Sequence, residues 1–203
     1  ERFEQVGADA LELNVFVIPA DERRNGREME NVYTTILERI KEKVSIPVAM
    51  KIGPHFSALA YTLQELADNG VDGLVLFNRF FKPDVDIETM KLGHADVLSS
   101  PQEITLPLQW IALLSGRLNC DFSATTGVHD SVGVIKQLLV GAKTVQLCST
   151  LFKNGLNQIA TMIEGMEEWM GRHDFPSVEA FRGSLCQENI ENPVAFERSQ
   201  YIK

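Results

Sequence analysis

The chain has 203 residues, 44% of them hydrophobic and 23% charged, with a formal net charge of −9. Those shares are ordinary for a soluble globular protein, and the negative balance argues against a nucleic-acid or anionic-membrane surface, whose phosphates it would repel. No apolar run is long enough to span a bilayer, and Glu1-Arg2-Phe3-Glu4 does not read as a signal peptide.

Taken in order, the chain opens at Glu1 without an initiator Met and enters a strand almost at once, which reads as a beginning in mid-domain. Strands are expected near residues 10–17, 47–52, 72–77, 121–126 and 144–148. Three of them share one entry: Gly7, Gly70 and Gly141 each end a helix, two residues turn the chain, and a short apolar strand follows. Between the strands, Met29, Val32, Tyr33, Ile36, Leu37 and Ile40 recur at the spacing of an amphipathic helix over 29–44, and 57–69, 106–118, 130–140 and 156–172 read similarly. The three cysteines (Cys120, Cys148, Cys186) are odd in number, far apart and without CxxC spacing. They fit reduced thiols in a cytoplasmic protein better than a disulfide framework or a zinc site.

Alternating strands and helices imply parallel βαβ units with right-handed crossovers. Five such units form either an open doubly wound sheet or the later part of a (β/α)₈ TIM-type barrel, of which a complete copy needs roughly 250 residues. The mid-domain start favours the barrel, with about the last five units present in a single domain over 1–203. The stretch 79–105 is too long for a simple loop and reads as an insertion over the barrel mouth. Residues 176–203 read as a C-terminal tail with one short helix.

In such a fold the chemistry lies where strands end. Those ends carry Asn14, Lys51, Asn78, Thr125-Thr126-Gly127 and Cys148-Ser149. A lysine at a strand end needs an anion or electron-rich partner, or forms a salt bridge at the rim. The two small-residue turns, each opening a helix, suit a phosphate; the plainer reading is two ordinary turns with Asp130 as a helix cap. His55, His94, His129 and His173 show no ligand spacing, and no metal site is expected.

The segments Leu11-Glu12-Leu13-Asn14, Val48 to Phe56, Gly70 to Asn78, Thr126-Gly127-Val128 and Gly141 to Leu151 occur in an order that resembles the dihydroorotate dehydrogenase family of FMN-binding (β/α)₈ barrels, class 1 above all. The likeness runs over about residues 7–152, and the family's first βα units would precede Glu1. It implies an FMN-dependent oxidoreductase acting on a CH–CH group, as in conversion of dihydroorotate to orotate in pyrimidine biosynthesis. It places Asn14 near flavin and substrate, Lys51 beside the flavin pyrimidine and Asn78 on the substrate ring. The turns at Thr126-Gly127 and Cys148-Ser149 would hold the FMN phosphate, with Ser99-Ser100 on the flavin's other side. By analogy with class 1 relatives it also implies a homodimer.

The departures are specific. The family's Cys or Ser base, three residues after the strand-end asparagine, is here Val17, and the asparagine two places later is Pro19. Valine cannot accept a proton, so the native substrate is open and no catalytic residue is assigned. Arg79 replaces a small hydroxyl residue, where its cation would either suit an anionic substrate or simply fill the site. Two other readings stand beside the oxidoreductase: a flavin-binding or structural barrel that has lost the reaction, and a flavin-free phosphate-binding lyase or aldolase with Lys51 as a Schiff base.

Overall fold

A computed structural model describes residues 1–198; residues 199–203, the end of the expected tail, lie outside the described residues. Short apolar runs, three of them entered from glycine turns, give five parallel strands: β1 (Leu11–Asn14), β2 (Val48–Ile52), β3 (Gly73–Leu76), β6 (Asp121–Ala124) and β7 (Thr144–Val145). They lie side by side in chain order, β1-β2-β3-β6-β7. The three entry glycines, Gly7, Gly70 and Gly141, adopt φ of 94°, 81° and 110°, a region that a side chain would make costly.

Each expected helix forms, with shifted ends. Helix α1 (Arg2–Gln5) precedes β1, and α2 (Gly26–Lys41) begins ahead of its apolar stripe. It does so because Asn25 and Glu28 make a capping box: the Glu28 amide donates to Asn25 Oδ1 at 3.0 Å, and the Asn25 amide donates to Glu28 Oε2 at 2.9 Å. Helices α3 (Leu59–Asp68), α4 (Thr105–Leu114) and α5 (Ser131–Leu139) follow. Helix α4 stops short of the expected 118 at Ser115-Gly116, where Ser115 Oγ turns to donate to the Val140 carbonyl at 2.8 Å. Asp130 caps α5 by accepting from the Gly133 amide at 2.8 Å. The helix expected to open at the Cys148-Ser149 turn is a separate short one, α6 (Ser149–Asn154), which comes between β7 and α7 (Gln158–Arg172). Among the described residues of the tail, two 3₁₀ turns at Val178–Ala180 and Pro193–Glu197 stand where one short helix was expected.

The sheet is two-faced. Register neighbours Leu13, Met50, Leu74 and Phe122 form one row, of which Met50, Leu74 and Phe122 are almost fully buried; they share a core with Leu37, Leu63, Leu66 and Ile111 of the helices. The opposite row, Asn14, Lys51, Val75, Ser123 and Thr144, is largely polar and more accessible. Gln146, just past β7, donates through Nε2 to Glu12 Oε2 on β1 at 2.5 Å. A flat sheet would hold its first and fifth strands about 19 Å apart, beyond the reach of these two side chains. The sheet therefore curls, with helices on its convex face, like part of a barrel wall.

The insertion contains an antiparallel hairpin, β4 (Pro83–Asp86) and β5 (Lys91–His94), separate from the main sheet. Cys120, Cys148 and Cys186 are all free thiols. Among the described residues no helix is long and apolar enough to cross a membrane.

Candidate functional site

The curled sheet and the insertion enclose a cavity of about 560 Å³ at the C-terminal ends of the strands. Asn14, Lys51, Asn78, Arg79, Thr125, Thr126, Gly127, Cys148 and Ser149 all line it, as do Phe16, Phe77, Ser99, Gln146 and Phe152. Parallel strands explain the convergence: every strand delivers its last side chains to the same end.

Asn14 and Lys51 are register neighbours on the inner face. Lys51 Nζ donates to Gln146 Oε1 at 3.0 Å, and among the described residues no carboxylate pairs with it directly. Asn78 is nine-tenths buried; its Nδ2 donates to the carbonyls of Val15 (2.9 Å) and Lys51 (3.3 Å), tying the ends of β1 and β2 to β3. Its Oδ1 has no partner among the described residues. A buried carbonyl oxygen without a donor is costly unless a ligand supplies one.

The two turns meet the cavity differently. Thr126 and Gly127 have φ of 76° and 79°, and the amides of Thr126, Gly127, Cys148 and Ser149 donate to no partner among the described residues. Ser149 begins α6, a short extra helix after the last strand, a placement that recurs at barrel phosphate sites. Gly127 owes its missing side chain to packing: a Cβ there would stand 2.7 Å from the Glu103 carbonyl carbon and closer still to the Ile104 amide nitrogen. Ser149 Oγ accepts from the Ser99 amide at 2.9 Å, and Lys153 Nζ donates to the Ser99 carbonyl at 2.9 Å. Ser99 Oγ lies 3.1 Å from His129 Nε2, and burial, then the nearby Lys153 ammonium, holds that imidazole below its ordinary pKa.

Ser100, expected at the flavin, does not line this cavity: its amide donates to Glu103 Oε1 at 2.9 Å as the cap of the 3₁₀ turn Pro101–Ile104, and Ser99 takes the lining position. Arg79 lines the cavity, but its guanidinium is engaged elsewhere. It donates to Glu103 Oε2 (2.9 Å) and to the carbonyls of Val97 (2.6 Å) and Asp96 (2.8 Å). Of the two roles open to Arg79, suiting an anionic substrate or filling the site, these bonds engage its guanidinium in holding the insertion. Val17, at the position of the missing base, is half-buried and packs on the hydrophobic core.

The chain is 26% identical over 174 residues to the catalytic subunit of dihydroorotate dehydrogenase B (NAD(+)) of Saccharolobus solfataricus, covering 84% of this chain and 59% of that protein. The chain is similar to dihydroorotate dehydrogenases. The same subunit of Petrotoga mobilis is 24% identical over 190 residues, covering 91% of this chain and 63% of the relative. The chloroplastic dihydropyrimidine dehydrogenase (NADP(+)) of Arabidopsis thaliana is 23% identical over 206 residues, covering 92% of this chain and 48% of its own. The chain thus spans roughly half to under two thirds of the length of these relatives. No protein-family model matches it.

Gln146 escaped the sequence reading, and so did the contact between Ser99, expected only beside Ser100 near the flavin, and His129. Gln146 carried a signal: a polar side chain in the apolar run Val145-Gln146-Leu147, as Lys51 is in Met50-Lys51-Ile52. The contacts of Ser99 with His129, Ser149 and Lys153 gave none, because those partners are 30 to 54 residues away in sequence.

Proposed function

We propose that this chain is the later part of a (β/α)₈ barrel that binds FMN and oxidises a CH–CH bond in a dihydropyrimidine-type ring. One observation carries the reading: a single cavity gathers the strand-end Lys51, Asn14 and Asn78 with both small-residue turns, in a chain similar to dihydroorotate and dihydropyrimidine dehydrogenases. The residues suit the cofactor, since unpartnered amides at two turns, one opening a helix, match the demands of a phosphate. Thr126, Gly127, Cys148 and Ser149 would hold that phosphate, and Lys51 would stand by the ring's electron-rich edge. Bound FMN supplies the two-electron acceptor. Asn14 and Asn78 remain to orient the substrate, with Asn78 Oδ1 free to accept from a ring N–H. The insertion over 79–105 covers the mouth, and a cytoplasmic homodimer completes the proposal.

Val17 favours a second reading, in which the barrel keeps FMN without efficient dehydrogenation. Anaerobic mixing of the FMN-loaded full chain with dihydroorotate or a dihydropyrimidine, followed at the flavin absorbance, separates the two. Slow bleaching that Val17→Cys accelerates by about tenfold or more supports the dehydrogenase. Inertness of both forms toward both substrates rules out this substrate class. Borohydride trapping of a carbonyl substrate on Lys51 in a colourless protein would instead favour the lyase.

A further inference from the structure

We propose that Gln146 is the positioning residue of the Lys51 ammonium, and that Glu12 acts through Gln146 to set the positive charge Lys51 presents to a bound flavin. The inference rests on the FMN reading above and concerns groups to which that reading gave no role.

Lys51 comes from β2, Gln146 from the end of β7 and Glu12 from β1, so the three meet across the concave face. The chain of contacts has one polarity. The Glu12 carboxylate only accepts, so Gln146 must turn its NH₂ toward it, with Nε2 to Oε2 at 2.5 Å. The carboxamide oxygen is thereby fixed toward the cavity, where it accepts from Lys51 Nζ at 3.0 Å. Glu12 dictates the amide's orientation, and the amide dictates where the ammonium sits.

The choice of a neutral amide matters chemically. A carboxylate at position 146 would anchor the lysine as well but would cancel its charge. An amide oxygen holds the flexible four-carbon stem while leaving the cation whole. Of the three N–H donors on Nζ, one meets Gln146, and the other two have no side-chain partner among the described residues. They are left for an electron-rich ligand edge. Glu12, one amide away, damps the positive field without touching the site, since opposite charges partly offset each other at that range.

The test uses the full-length chain loaded with FMN and titrated with sulfite. Sulfite adds to the oxidised flavin ring and leaves negative charge on the pyrimidine side, so its affinity reports the positive potential there. Gln146→Leu, which frees the lysine, is expected to weaken sulfite binding about tenfold. Glu12→Gln keeps an oxygen acceptor for Gln146 while removing the carboxylate's charge, and is expected to tighten sulfite binding severalfold. FMN affinity is expected to change by less than about threefold in either variant, because the phosphate turns are untouched. Opposite signs distinguish electrostatic positioning from general loosening. Unchanged sulfite affinity in both variants, or equal weakening in both, overturns the proposal while the FMN reading stands. A wild-type chain that takes up no FMN overturns both.

Discussion

Glu103 anchors the insertion more firmly than anything its neighbours in sequence suggest. Burial raises its carboxyl pKa, but the Arg79 guanidinium, the Ser100 amide and the Lys82 ammonium outweigh that and bring it to about 2. Because the folded value lies below the ordinary 4.5, the stabilisation is complete above pH 4.5 and is lost as pH falls from there toward 2. Glu103→Gln should therefore destabilise the protein by about 2 kcal/mol at neutral pH and flatten the loss of stability across that acid window. Urea denaturation of both forms from pH 7 to acid checks this; parallel curves would exclude Glu103 as the anchor of the insertion. Residues of this kind show how far the sequence could be read. Lys51, Asn14 and Asn78 were legible because strand alternation and strand ends can be placed from local pattern. Gln146 joins Lys51 across 95 residues, and Arg79 joins Glu103 across 24; nothing local announces either pair. Gly127 was legible as a special position but for a different reason, since the backbone it admits closely is that of Glu103 and Ile104.

At the scale of elements, the five strands and their helices follow from apolar period, and their ends follow from caps that the period does not include. The hairpin was not legible. Asp84-Val85-Asp86 and Lys91-Leu92-Gly93 alternate too briefly to stand out, and Val85 and Leu92 remain exposed at 63% and 75%. A lone two-stranded hairpin is marginal in water, so its order depends on its base. There Arg79 grips the carbonyls of Asp96 and Val97, and the Ala95 amide donates to the Lys82 carbonyl at 2.9 Å. Arg79→Ala should speed amide hydrogen exchange over 83–98 by about tenfold or more, leaving β2 and β3 protected. Arg79→Lys should not restore protection, because a single ammonium cannot bridge the same carboxylate and carbonyls at once. Unchanged exchange over 83–98 in the alanine variant would rule out the clamp.

For the whole molecule, the informative feature is the curl that brings Gln146 to Glu12. It turns strand ends scattered over more than 130 residues into one cavity, and it sets polar side chains on the concave face against an apolar core on the convex one. The alternation of strands and helices made parallel units legible, but it did not distinguish a flat sheet from a curled one; that required a contact between the first and last strands. The role proposed for this cavity is to bind FMN. The visible absorbance spectrum of the purified full-length native chain, with mass analysis of whatever is released on denaturation, tests it most directly. A flavin spectrum and released FMN are expected, or stoichiometric uptake of added FMN by a chain purified without it. A colourless protein that fails to bind added FMN would contradict it.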